Sequence, residues 1–84
     1  YPNPFNPVTV IRYDLSEDAF VNITVYDMLG NVVKTLVNDS RTAGSNTVEW
    51  DATNTKNETV SAGLYVFAIQ SGELKQTKKM LLVK

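Results

Sequence analysis

Apolar and polar residues alternate with a period of two along most of this chain, in short runs separated by turn-forming residues. Such a pattern predicts strands whose two faces meet different environments. The first run covers 8–15, with Thr9, Ile11, Tyr13 and Leu15 on one face and Val8, Val10, Arg12 and Asp14 on the other. Ser16-Glu17-Asp18 is a polar turn. A second strand over 20–27 places Val21, Ile23 and Val25 on one side and Phe20, Asn22, Thr24 and Tyr26 on the other. Asp27-Met28-Leu29-Gly30-Asn31 reads as a hairpin turn in which Gly30 supplies a positive φ, and 32–37 returns as the third strand.

Residues 38–46 read as a polar loop, followed by a short strand over 47–50 that turns Val48 and Trp50 inward. The stretch 51–59 has the least apolar character and reads as a surface loop. Val60 and Ser61 are candidates for a short extra strand. From Gly63 to Ser71, Tyr65, Phe67 and Ile69 alternate with Leu64, Val66 and Ala68. Gly72 then turns the chain into a last strand over 74–84. Ahead of all this, residues 1–7 hold all three prolines and read as an irregular, extended lead-in, because each proline removes a backbone donor. No helical periodicity competes. The expected fold is all-β, an immunoglobulin-like antiparallel β-sandwich of about seven strands filling one domain over 1–84.

Composition narrows the function more than the fold. The net charge is −1, which leaves no electrostatic footprint for nucleic acid. No apolar run approaches the ~20 residues of a membrane-spanning helix, so no membrane insertion is expected. The chain has no cysteine and no histidine. Disulfides and thiol chemistry are therefore unavailable, and so are the commonest general base and metal ligand. No enzyme and no cofactor are expected. The chain opens at Tyr1 rather than Met, which reads as a piece of a longer protein.

The remaining polar groups are the candidates for sites. Asp14, Glu17 and Asp18 surround one turn, and Asp51 lies near Asn54 in the long loop. Carboxylates so grouped can bind calcium or transfer protons, but the spacing of a calcium loop is missing. Solvated turns with backbone-directed hydrogen bonds are the simpler reading. No serine has a histidine to activate it, and the single glycines form no phosphate-cradling loop. No catalytic or metal site is assigned. Trp50, Tyr65 and Phe67 are the residue types of a sugar-binding platform, yet their alternation favours the core. Four of the eight cations (Lys75, Lys78, Lys79 and Lys84) fall in the last ten residues. Lysines there either guard an edge strand against aggregation or frame a terminal strand offered to a receptor.

Taken together, Tyr1-Pro2-Asn3-Pro4-Phe5-Asn6-Pro7, Tyr13-Asp14-Leu15, Val25-Tyr26-Asp27-Met28-Leu29-Gly30, Val48-Glu49-Trp50-Asp51 and Ser61-Ala62-Gly63-Leu64-Tyr65 form an ordered set. With the closing Lys79-Met80-Leu81-Leu82-Val83-Lys84, the set resembles the C-terminal sorting domains of bacterial type IX secretion cargo. It also looks like the Ig-like domain of flagellar hook-capping proteins, a relative in fold. The sorting resemblance implies a seven-stranded module that directs a larger cargo protein to the cell surface or medium. Its implied partners are the outer-membrane secretion machinery, a sortase-like peptidase and an upstream cargo domain of the same chain. Its implied recognition residues are Gly63, Leu64 and Tyr65, together with Lys79, Met80, Leu81, Leu82, Val83 and Lys84 as a terminal signal strand over 79–84. The alternative is a passive Ig-like structural, carbohydrate-binding or adhesion domain accessory to a secreted or cell-surface enzyme. Two positions depart from the sorting pattern: Ala52 stands where the family often has Gly, and Asn31 where it often has a basic residue.

Overall fold

The computed structural model describes residues 8–83, and the Pro-rich lead-in over 1–7 and Lys84 lie outside them. Within that span the chain forms six strands and no helix. They are β1 (Thr9–Leu15), β2 (Ala19–Asp27), β3 (Val32–Arg41), β4 (Gly44–Trp50), β5 (Gly63–Ser71) and β6 (Leu74–Leu82). All pairings are antiparallel. One sheet has the order β3-β2-β5-β6, and β1-β4 makes a second, narrower sheet. The expected all-β sandwich is therefore present, with six strands among the described residues instead of about seven.

The core lies between the two sheets, where the period-two pattern puts it. Val21, Ile23 and Val25 of β2 and Phe67 and Ile69 of β5 are buried beside one another. Ile11, Tyr13 and Trp50 reach them from the smaller sheet. Trp50 is fully buried and meets Tyr65 and Phe67 edge-on, with ring centroids 5.2 and 5.8 Å away. Such T-shaped contacts set the positive edge of one ring against the negative face of another. Its indole N–H donates to the Thr53 carbonyl at 2.9 Å, so the buried polar tip is satisfied.

Three sequence expectations need correction. The polar stretch over 38–46 is largely strand, because Asn38, Asp39 and Ser40 pair with Asn22, Val21 and Phe20. β3 is an edge strand of the wider sheet, and these positions have no core to face. Asn22 donates to Asn38 across the ladder at 3.1 Å instead of an apolar contact forming. Val60 and Ser61 form no strand; nearby there is an isolated bridge between Thr53 and Thr59. The last strand stops at Leu82. Bulges also break the β2–β3 register between Ile23 and Thr24 and again between Val25 and Tyr26. They let both Val33 and Val37 reach the core from a strand whose simple alternation would also bury Thr35.

Candidate functional site

Asp18, a candidate in the acidic turn, and Asp27 both hold the backbone. The Asp27 carboxylate accepts from the Leu29 and Asn31 amides, both at 2.9 Å, and from the Asn31 side chain at 3.3 Å. These bonds close the turn around Gly30, whose φ is +89°. The Asn31 side chain, one of the two departures from the sorting pattern, thus has a partner within this turn. Asp18 accepts from the Ala43 amide at 2.8 Å and so ties the β1–β2 turn to the β3–β4 link. In the long loop, Asn54 Oδ1 accepts from the Lys56 and Glu58 amides. Among the described residues no group of three or more acidic side chains is gathered as a metal would need.

Lys34 and Thr53 escaped the sequence reading, and they anchor that loop. Lys34 Nζ donates to Thr53 Oγ1 at 2.8 Å and to Asn57 Oδ1 at 3.2 Å, and lies 3.8 Å from Asp51. Thr53 in turn donates to Asp51 at 2.5 Å. Their partners are 17 or more positions away from Lys34 in sequence, so no local motif announces them. The Asn31 amide lowers the Asp27 pKa first of all, and the Thr53 hydroxyl does the same for Asp51. Both carboxyls are more acidic folded than unfolded. Their contribution to stability is complete above the ordinary aspartate value of about 3.9 and is lost as pH falls through the lower folded values. Urea midpoints measured at pH 7 and pH 3 should show a loss at pH 3, and Asp27→Asn with Asp51→Asn should make that loss smaller.

Ala52 carries the other departure from the sorting pattern. It follows Trp50-Asp51 with φ +64° and is fully buried. A left-handed backbone explains a preference for Gly at such a position. A β-branched residue adds both backbone clash and overpacking, so Ala52→Val should cost about 2–4 kcal/mol in urea unfolding. Ala52→Gly should stay within about 1 kcal/mol of the parent, since relief of strain offsets the lost methyl and the added chain entropy.

The residues singled out for recognition fall into two groups. Gly63 opens β5 with φ +150°, and a Cβ there would meet nothing within 4 Å. Its role is conformational, not the avoidance of a steric clash. Tyr65 is buried against Trp50, and its hydroxyl donates to the Ser61 carbonyl at 2.6 Å. Burial raises its pKa, with Asp27 adding to the effect. Leu82 is also buried, paired opposite Gly63, while Met80 is half-buried opposite Tyr65. Lys79, Leu81 and Val83 are exposed, and Lys84 lies outside the described residues. Residues 79–82 are thus an integral part of the edge strand of the wider sheet. The aromatic platform is excluded too, since Trp50, Tyr65 and Phe67 are all core.

Two surface features remain. On the outer face of the wider sheet, Val32, Tyr26 and Val66 form one cross-strand row, and Leu64 and Leu81 pair beside it. Val32, Leu64 and Leu81 are 57%, 47% and 64% exposed, an apolar patch at the Gly63 end of the sheet. On the opposite side the narrower sheet fails to cover β6. Leu74, Gln76 and Lys78 share the inner face with Ile69 and Phe67 yet remain exposed. A cleft of about 840 Å3 opens there between β1 and β6, lined by Tyr13, Leu15, Ile69 and Gln76 among others. A second, of about 480 Å3, continues toward Ile11, Phe67 and Met80, and Arg12 and Lys78 border both.

The sequence profile of the FlgD Ig-like domain matches residues 7–74, most of the chain. The chain belongs to the FlgD Ig-like domain family. Its fold agrees with solved FlgD structures. FlgD from P. aeruginosa superposes with a TM-score of 0.72 at 23% identity, over 90% of this chain and 61% of that one. FlgD from Xanthomonas campestris, a protein of the hook capping essential for flagellar assembly, gives 0.68 at 23% identity over 88% and 54%. This chain therefore spans little more than half the length of those FlgD proteins. None of the curated proteins matches it. The FlgD match overturns the type IX sorting reading, and with it the secretion machinery and sortase-like peptidase as partners. Within residues 7–74, the stretches that suggested sorting include a turn closed by Asp27 and a glycine-led β5.

Proposed function

We propose that this chain is the Ig-like module of a larger hook-cap-type scaffold protein and that it works by surface contact, without catalysis. The observation that carries the reading is the apolar row on the outer face of the wider sheet, where Leu64 pairs with Leu81 beside Val32, Tyr26 and Val66. Contiguous exposed apolar side chains on an otherwise satisfied sheet mark a surface that associates with protein. Family membership over residues 7–74 supports a structural role, and the flagellar assembly served by the Xanthomonas relative supports a setting at the cell surface. A sequence without histidine or cysteine supports the absence of catalysis.

The test uses the full-length protein in its own cell. Leu64→Glu with Leu81→Glu changes only exposed positions, so the domain should stay folded by circular dichroism. Immunoblots of isolated hook structures should then show the wild-type protein present and the double variant strongly depleted. Wild-type protein absent from those structures, or the variant incorporated equally, contradicts the reading.

A further inference from the structure

We propose that the groove between β1 and β6 is a strand-acceptor site, which takes an extended segment of a partner protein as a third strand of the narrower sheet. The proposal goes beyond the scaffold reading, because it rests on a different face and holds whatever assembly the domain serves.

Four observations converge on it. First, β1 pairs with β4 along one edge only, and no described strand pairs with its other edge. An open edge presents a row of backbone donors and acceptors to an incoming strand. Second, that edge borders the uncovered inner face of β6, so an added strand would have a wall to bury its inward residues against. The seven residues of β1 give the groove a length of roughly 20 Å at the usual strand rise. Third, Tyr13 lines the groove and is only 8% exposed, yet its hydroxyl is buried with no hydrogen-bond partner among the described residues. A buried hydroxyl left unpaired is costly, and a small turn of the Tyr13 ring into the groove would let a backbone carbonyl of the incoming strand accept from it.

The fourth observation is charge, and it selects the occupant. At the Thr9–Met80 end the ionic side chains that face the groove are cationic, Arg12 and Lys78. Toward the far end it turns acidic, with Asp14, Glu17 and Glu73. An antiparallel addition to β1, which continues the pattern of every pair in the fold, would run from the acidic end to the basic one. The matching segment alternates apolar with polar residues, begins with a cation and ends with carboxylates. The sequence KVTIEVE has that form: its valines and isoleucine face inward, and its charges lie where the groove carries the opposite sign.

Fluorescein-labelled KVTIEVE and its charge-exchanged counterpart EVTIKVK, titrated with the 84-residue chain at low salt, test this by fluorescence anisotropy. KVTIEVE should bind at least about fivefold more tightly, and Arg12→Glu with Lys78→Glu should reverse the preference. Tyr13→Phe should weaken binding about three- to tenfold while leaving thermal stability of the free domain unchanged or raised, because it removes a hydroxyl the free domain leaves unpaired. A merely structural role for that hydroxyl would lower stability and leave binding alone. Equal binding of the two peptides, binding of neither, or no effect of Tyr13→Phe on binding overturns the proposal. A dimer that closes the groove, or binding that begins only after removal of residues 1–7, assigns the groove to this chain itself and overturns it as well.

Discussion

Replacing Trp50 with Ala should cost the domain about 3–5 kcal/mol, a large share of its stability. Trp50 is fully buried where the two sheets meet; it touches Tyr65 and Phe67 edge-on and donates its only polar hydrogen to Thr53. Truncating a buried Trp costs about 3–5 kcal/mol from lost transfer energy and the cavity left behind. At roughly 0.05–0.15 kcal/mol per residue, a chain of this size has only about 4–13 kcal/mol to lose. The damage should also spread. The indole N–H fixes the carbonyl of Thr53, and Thr53 with Asp51 and Lys34 anchors the long loop to β3. Urea unfolding followed by far-ultraviolet circular dichroism checks this. A stability loss below about 1.5 kcal/mol would show that the core does not close around Trp50.

The second large effect is expected at the other end of the chain. Leu82 is 2% exposed and forms the last pair of the β5–β6 ladder, opposite Gly63. Leu82→Ala should cost about 2–4 kcal/mol, the range for a large aliphatic residue removed from a packed site. Lys79→Ala, on the exposed outer face of the same strand, should stay within about 0.5 kcal/mol. The contrast separates a structural strand from a detachable tag, since a tag would tolerate both changes. It also means that deleting 79–84 would damage the fold, so loss of function in such a deletion says little about recognition.

Much of this architecture was legible in the alternation of residues. The strand over Gly63–Ser71 and the inward sets of β1, β2 and β4 follow from period two alone, because each of these strands has one face in the core and one outside. The pattern failed where that condition failed. Asn38, Asp39 and Ser40 sit on an edge strand with no core contact, so nothing apolar marked them as sheet. The bulges in β3 shift the phase of the alternation, and no turn residue reveals them. The groove was invisible for a related reason. Leu74, Gln76 and Lys78 look like an ordinary mixed strand, and only the narrowness of the β1-β4 sheet leaves them uncovered. Tyr13 reads from the sequence as a plain core residue, which it is, apart from its unpaired hydroxyl.

The motifs that suggested a sorting signal have structural roles in this chain: Gly63 for its backbone angle, Tyr65 and Leu82 for the core. What remains for function is surface, namely the Leu64–Leu81 patch and the open edge of β1. Both depend on β6 being a fixed member of the wider sheet, because β6 supplies half of that pair and one wall of the groove.

Native-state hydrogen exchange of the β6 amides tests that dependence most directly. An edge strand donates every second amide to its neighbour, so protection should alternate along Leu74–Leu82. The protected amides should open with the same free energy as those of β2 and β5, as expected of one cooperative unit. Uniformly fast exchange over 79–82, with β2 and β5 still protected, would show a detachable terminal strand and contradict the account.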